Sequence, residues 1–206
     1  MVLWGAATLV AYLLGSIPSG LWIGRFVFRI DPRDYGSRST GMTNVLRTMG
    51  KKAAAAVLFL DLAKGAVAVT VARALLPEEP WAHVLAAFAA AAGHNWPIFS
   101  EFRGGKGVVV SGVAIGVLYW PILATIIPVG IITVYLTRFV SVGSIMGALV
   151  TAGLGIALYS SDTIPLAYLF YFVVASALVL WTHRSNVARL VAGTENKIGH
   201  RVQTAA

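Results

Sequence analysis

Three stretches of this chain combine residue types that can hold and react with a phosphorylated molecule. The first runs Gly36-Ser37-Arg38-Ser39-Thr40-Gly41-Met42-Thr43-Asn44, and Arg47 follows it. Glycines there free backbone N–H groups to converge on one centre, and an arginine fork can grip phosphate with two parallel hydrogen bonds. The same stretch also reads as a solvated turn followed by a helix capped by Thr43 or Asn44. The second is Phe102-Arg103-Gly104-Gly105-Lys106-Gly107. A Gly-Gly-Lys-Gly run leading into a helix suits anion binding at a helix N-terminus, and it also suits a plain flexible turn. It lacks the spacing of a Walker A loop. The third carries His183, Asn186, Arg189, Glu195, Asn196 and Lys197. His183 and Asn186 are three residues apart and share a helical face. An interfacial histidine that merely ends a helix would look the same.

Two charged residues stand inside an otherwise apolar run. Asp61 and Lys64 are spaced i, i+3 within Ala53–Ala72. Ionisable groups at membrane depth are costly and are usually paired or functional, so mutual pairing and a substrate role for Lys64 are both open. His94 closes another apolar run just ahead of the second glycine stretch and reads as structural.

The elements that must position these residues follow from composition. The chain has 206 residues, 58% of them hydrophobic, and only 12% are charged, against about 25% in soluble domains. So little polar surface cannot cover a water-soluble fold of this size, and lipid must solvate much of it. The length suits a single domain spanning 1–206. Cysteine is absent, which excludes disulfides, thiolate metal sites and a cysteine nucleophile. No acidic pair or histidine cluster has metal-ligand spacing. The formal charge of +8 lies in short loops between apolar runs, so membrane topology and anionic ligands account for it better than nucleic acid does.

Val2–Gly24, Ala53–Ala72, Trp81–Phe99, Val142–Ser161 and Thr163–Thr182 are each long enough to cross a bilayer. Gly107–Thr137 is too long for one crossing and reads as a hairpin turning near Tyr119, Trp120 and Pro121. Basic residues cluster at 25–52, at Arg103 and Lys106, at Arg138, and in the tail at Arg184, Arg189, Lys197 and Arg201. The positive-inside rule places all four clusters in the cytoplasm. The expectation is an all-α, seven-transmembrane-helix bundle in the cell (plasma) membrane, N-terminus out and C-terminus cytoplasmic. Gly15, Ser16, Ser19, Gly20 and Gly24 give the first helix a small-residue face for close packing, and Pro18 should kink it.

These segments together resemble the bacterial acyl-phosphate:glycerol-3-phosphate acyltransferases over nearly the whole chain. The likeness is carried by Gly15-Ser16-Ile17-Pro18-Ser19-Gly20, Gly36-Ser37 through Arg47, Asp61-Leu62-Ala63-Lys64-Gly65, Gly93-His94, Gly104 to Gly107, Ser141 to Ser144, His183, Asn186, Arg189-Leu190 and Gly193 to Gly199. It implies transfer of a fatty acyl group from acyl phosphate to the hydroxyl of glycerol 3-phosphate. The products would be lysophosphatidic acid and phosphate, in the first step of phospholipid synthesis. It also implies no metal or coenzyme, and a functional link to the enzyme that supplies acyl phosphate. By the same resemblance Ser37, Arg47, Lys106, His183 and Asn186 are the catalytic candidates. Gly36, Thr43, Asn44, Lys64, Gly104, Gly105, Gly107, Ser144 and Glu195 are the substrate-binding candidates. One stretch departs from the family pattern: Arg38, Ser39, Thr40 and Met42 stand where Gly, Asn, Ile and Ala are usual. From another class, a membrane transporter for a phosphorylated solute would also explain charges inside helices, although paired broken helices in two matching halves are not evident.

Overall fold

Why the first apolar run does not form one straight helix is a matter of a single missing donor. In the structure, a computed structural model describing residues 1–199, α1 spans Val2–Gly15 and α2 spans Ser19–Ile23. Pro18 lies between them at φ −88°, ψ 70°. It has no N–H to return to the helix and its ring collides with the preceding turn, so the helix breaks where a kink was expected. A π-helical turn, Gly24–Phe28, carries α2 onward. Of the basic tail residues, Arg201 lies outside the described residues.

The remaining helices are α3 (Met42–Met49), α4 (Lys51–Leu75), α5 (Pro80–Asn95), α6 (Val108–Leu118), α7 (Trp120–Thr137), α8 (Val140–Ser160), α9 (Leu166–Thr182) and α10 (Arg184–Val191). No strand occurs among the described residues, so the all-α expectation holds. The long apolar run is interrupted at Tyr119, between α6 and α7, at the place where the expected hairpin would turn.

Helix lengths depart from the simple count. The stretch Val2–Phe28 and helices α4, α7 and α8 are each long and apolar enough to cross a membrane, and α9 and α10, bent by 50° at His183, make a fifth span if taken as one. Helix α5 has 16 residues, ending at Asn95 rather than at Phe99. Trp96 precedes Pro97, which pushes it out of the helical region to φ −129°. Helix α6 has 11 residues, roughly 16 Å of helix against about 30 Å of hydrocarbon.

Small residues set the packing. Ala7, Ala11 and Gly15 of α1 are buried with Ala86 and Ala90 of α5 and Ala68 and Ala72 of α4. A methyl group on Gly15 would sit 2.2 Å from the Ala90 carbonyl oxygen, and one on Gly93 would sit 2.3 Å from that of Tyr12. Gly20 is pressed against the Thr40 carbonyl and Gly24 against that of Ile30. The small-residue face read from the sequence is thus in use, with two backbones in contact where lipid offers no hydrophobic drive for association. A second, aromatic core joins Tyr168, Tyr171 and Phe172 of α9 to Ile115 and Leu118 of α6, Val84 of α5 and Ile122 of α7. Helix α7 buries only Ile122 and exposes Ile127, Ile131, Ile132 and Leu136, an apolar face suited to lipid.

The glycine contacts yield a direct comparison. Gly93→Ala should cost about 1–3 kcal/mol through overpacking. Gly112→Ala in α6, where nothing lies within 4 Å of the added methyl, should be neutral or stabilise by about 0.5–1 kcal/mol. Thermal unfolding in detergent reads both, and equal Tm values for the two variants would refute the close α1–α5 approach.

Candidate active site

At one end of the bundle the non-helical segments meet around a cleft of about 190 Å³. Each of its walls is a short polar stretch held by its own internal bonds. The first wall is the segment before α3. Asn44, 1% exposed, donates from its amide nitrogen to the carbonyls of Pro32 (2.8 Å), Ser39 (2.9 Å) and Tyr35 (3.1 Å), and accepts from the Ser37 N–H at 2.9 Å. One side chain folds the whole turn. The helix cap is Gly41, with no side-chain bond to the first turn, so neither Thr43 nor Asn44 caps α3. Ser37, Thr43 and Asn44 line the cleft, and Gly36, exposed at φ 60°, stays at the turn outside it.

Arg47 comes from the next turn of α3. Its Nη2 donates to the Asn196 carbonyl at 3.1 Å, while its buried Nε has no partner. Burial lowers the guanidinium pKa, and nearby Glu195 only partly offsets this. An unpartnered cationic donor in a dry wall favours an anion.

The second wall is the glycine loop. The N–H groups of Gly104 and Gly105 donate to the carbonyls of Asn95 (3.2 Å) and His94 (3.0 Å). A methyl on Gly104 would meet the His94 carbonyl oxygen at 2.1 Å, and one on Gly105 would meet the His94 ring nitrogen Nε2 at 2.1 Å. These two glycines are required by packing against the end of α5, and neither lines the cleft. Gly107, at φ 73°, does line it with Val108 and Val109, the uncapped first residues of α6. This helix N-terminus therefore opens onto the cleft beside Lys106, an arrangement suited to an anion. The Lys106 ammonium contacts Asn186 Oδ1. Burial first, then the charges of Arg189 and Arg47, hold its pKa down to about 8.

The third wall is built around Glu195. Its Oε1 accepts from Asn186 Nδ2 at 2.6 Å and from Ser141 Oγ at 3.0 Å, and its Oε2 accepts from Arg189 Nε at 2.7 Å. Burial pushes its pKa up, but the hydrogen bonds from Asn186, Arg189 and Ser141 outweigh it and hold the carboxyl below its ordinary value. Both oxygens are used within the protein, which makes Glu195 a brace. The brace ties the tail to α8 and α10, with help from the Ile198 N–H on the Arg138 carbonyl at 2.7 Å. His183, 3% exposed, sits at the bend between α9 and α10 with Nδ1 2.8 Å from the Val179 carbonyl. A carbonyl only accepts, so Nδ1 carries the proton and Nε2 of the neutral ring is an acceptor. Ser144 also lines the cleft, its hydroxyl bonded back to the Val140 carbonyl at 3.1 Å.

The cleft thus gathers Ser37, Thr43, Asn44, Arg47, Lys106, Gly107, Ser144, His183, Asn186 and Glu195, and leaves Gly36, Lys64, Gly104 and Gly105 behind its walls. It adds Ser39, Asp61, His94 and Ser141. The Asp61–Lys64 pair is formed at 2.8 Å, yet the member that reaches the cleft is Asp61. Lys64 instead donates to the Ile17 carbonyl at 2.9 Å. The position of His94, at the last turn of a helix and one residue after a contact glycine, was the signal for its place in the wall.

An integral membrane helical bundle with a cationic, glycine-bordered cleft at one end is the class that fold and site define. The family model described as glycerol-3-phosphate acyltransferase matches residues 5–193, and the chain belongs to that family. It is 40% identical over 200 residues to the glycerol-3-phosphate acyltransferase of Halalkalibacterium halodurans, covering 94% of this chain and 95% of that protein. It is 44% identical over 193 residues to that of Synechococcus sp. (strain CC9902), covering 93% and 94%. The crystal structure of PlsY (YgiH), an integral membrane glycerol 3-phosphate acyltransferase, superposes in its glycerol 3-phosphate form with a TM-score of 0.88 at 31% identity, covering 95% of this chain and 96% of that one. Its lysophosphatidic acid form gives a TM-score of 0.83 at 30% identity, covering 96% of each chain.

The brace makes a pH-dependent prediction. Because the folded-state pKa of Glu195 is depressed, its stabilisation is complete above the unfolded value of about 4.3 and is lost as pH falls through the folded value. Glu195→Gln should lower Tm at neutral pH and flatten its decline on acidification. A Tm profile in detergent that superposes on that of the parent would remove Glu195 from the framework.

Proposed function

We propose that the protein transfers a fatty acyl group from acyl phosphate to the hydroxyl of glycerol 3-phosphate, yielding lysophosphatidic acid and inorganic phosphate at the cytoplasmic face of the cell membrane. The observation that carries this reading is the cleft itself. Arg47 with its unpartnered Nε, Lys106 beside the open N-terminus of α6, and His183 with an acceptor nitrogen face one space. Family membership and the two ligand forms of PlsY support the choice of acceptor and product. The reading treats the chain as one acyltransferase domain, functionally linked to the enzyme that makes acyl phosphate.

The chemistry needs no covalent enzyme intermediate. Acyl phosphate is a mixed anhydride and phosphate is a good leaving group. The acceptor hydroxyl oxygen attacks the acyl carbon, the bond from that carbon to the phosphate oxygen breaks, and phosphate departs with the bonding pair. Arg47, Lys106 and the N–H groups opening α6 stabilise the charge that gathers on it. The hydroxyl proton passes to His183 Nε2 or to a substrate phosphate oxygen, with Asn186 orienting the acceptor. Ser37 positions phosphate, since no nucleophile elbow surrounds it.

Each basic cluster has a member at the cleft or its supports: Arg47 and Lys106 line it, Arg189 holds Glu195, and the Arg138 carbonyl holds Ile198, which supports cytoplasmic placement and an even number of crossings between each pair. In this reading the short α6 makes one of seven crossings, with the glycine loop at its cytoplasmic end.

Purified protein in detergent, given acyl phosphate and glycerol 3-phosphate, should form lysophosphatidic acid, a result that pure transport cannot produce. Arg47→Ala should reduce kcat/KM by about ten- to a hundredfold or more, and Arg47→Lys should rescue little, because lysine lacks the bidentate fork. Labelled acyl phosphate without acceptor should leave no acyl group on the protein, whereas a competent acyl-Ser37 would overturn direct transfer. Single cysteines at position 39 and at the exposed position 103 of the glycine loop should resist membrane-impermeant thiol reagents in intact cells, and labelling from outside would refute the orientation.

A further inference from the structure

Asp61 is 2% exposed and stands where three separate segments come together. Its Oδ1 is 2.8 Å from Lys64 Nζ, accepts from Ser19 Oγ at 3.2 Å, and lies 3.7 Å from Nδ1 of His94. These partners lead to two walls of the cleft, Ser19 and Lys64 to the first and His94 to the second. Ser19 opens α2, where Gly20 is pressed against the Thr40 carbonyl, two residues ahead of the start of α3. Lys64 reaches past Asp61 to the Ile17 carbonyl in the break of the first helix. His94 presents its ring to the backbone of Gly105 and its carbonyl to the Gly105 N–H. Thus one carboxylate touches the supports of the segment bearing Arg47 and of the loop bearing Lys106.

We propose that Asp61 is a positioning residue that sets the separation of the two phosphate-facing segments, acting through Ser19 and Lys64 on the first and through His94 on the second. The proposal rests on the acyltransferase reading for its consequence, because two phosphorylated substrates must be held on separate segments with the acceptor oxygen near the acyl carbon. It does not require Asp61 to touch either substrate. A second strut, Arg33 Nη1 on the Ser100 carbonyl at 3.2 Å, joins the same two segments at their outer ends. It leaves the inner ends, where Thr40 and Gly105 lie, to the Asp61 cluster.

Removing Asp61 alone would strand the buried Lys64 charge and risks unfolding the bundle. The test is therefore the double variant Asp61→Asn with Lys64→Met, which removes both charges together. The parent lacks cysteine, so nitroxides on cysteines at the exposed positions 38 and 103 report the separation of the two segments by pulsed electron paramagnetic resonance. The parent should give one narrow distance distribution and the double variant a broadened or shifted one. The KM for glycerol 3-phosphate should rise about tenfold or more while the protein stays monodisperse. His94→Ala, which keeps the Asp61–Lys64 pair, should broaden the distribution too and decides the matter should the double variant not fold. An unchanged narrow distribution in the folded variants overturns the proposal whatever the kinetics show. Absence of turnover in the parent would instead sink the acyltransferase reading, and the distance measurement would still judge the role of Asp61.

Discussion

A polar cleft in a bundle solvated by lipid is possible only if every backbone group released by breaking a helix finds a new partner. An unsatisfied amide at membrane depth costs several kcal/mol, so each departure from helix must carry its own replacement bonds. The break at Ser16–Pro18 is met by the Ile17 N–H on the Leu14 carbonyl and by Lys64 on the Ile17 carbonyl. The end of α5 is met by Gly104 and Gly105 donating back to Asn95 and His94. The turn before α3 is met almost entirely by Asn44. A buried lysine and a buried asparagine, both costly to desolvate in an apolar chain, supply the bonds that satisfy these breaks.

Close packing follows from the same constraint. With lipid as solvent, helices gain little by hiding leucines from it, and contact area must come from backbone approach. Alanine and glycine on α1, α4 and α5 provide this around the break, so the broken helix is gripped where it is weakest. The bulky aromatic core sits on α5, α6 and α9. It stiffens the helices whose ends carry His94, the start of α6 and His183. Helix α7 gives little to the core and serves chiefly to face lipid.

Much of this was legible in the chain because hydropathy and charge act over whole segments. The apolar runs, the kink at Pro18, the turn at Tyr119 and the convergence of Arg47, Lys106, His183 and Asn186 all rest on such patterns. What escaped depended on contacts across the fold. Nothing in the spacing of Asp61 and Lys64 says which one faces the cleft, since that is decided by the Ile17 carbonyl drawing Lys64 the other way. Gly104 and Gly105 look like ligand-binding glycines in isolation, and only the place of His94 reveals them as packing glycines. The short α6 follows from where the run divides: Tyr119 leaves 11 residues to α6 and 18 to α7, and uniform hydropathy does not fix that unequal split.

The distribution of charge suits such a site to anions. Its two carboxylates are consumed by the protein: Asp61 by Lys64 and Ser19, and Glu195 by Asn186, Ser141 and Arg189. The cations are compensated less well. Arg47 keeps an unpartnered buried Nε, and Lys106 contacts a neutral amide while burial holds its pKa down to about 8. The cleft therefore holds cations at the cost of desolvation, and a phosphate among them would relieve that cost and raise the Lys106 pKa. Under the proposed reaction two phosphorylated substrates must occupy this space, and like charges repel. Arg47 and Lys106 stand on separate elements, linked by the Arg33–Ser100 strut and the Asp61 cluster, so the phosphates can be held apart. The hydroxyl oxygen must still come within roughly 3–3.5 Å of the acyl carbon. Rate then depends on the spacing between two rigid supports more than on the acidity of any one group, which is why a membrane enzyme of this size would invest buried charge in its framework.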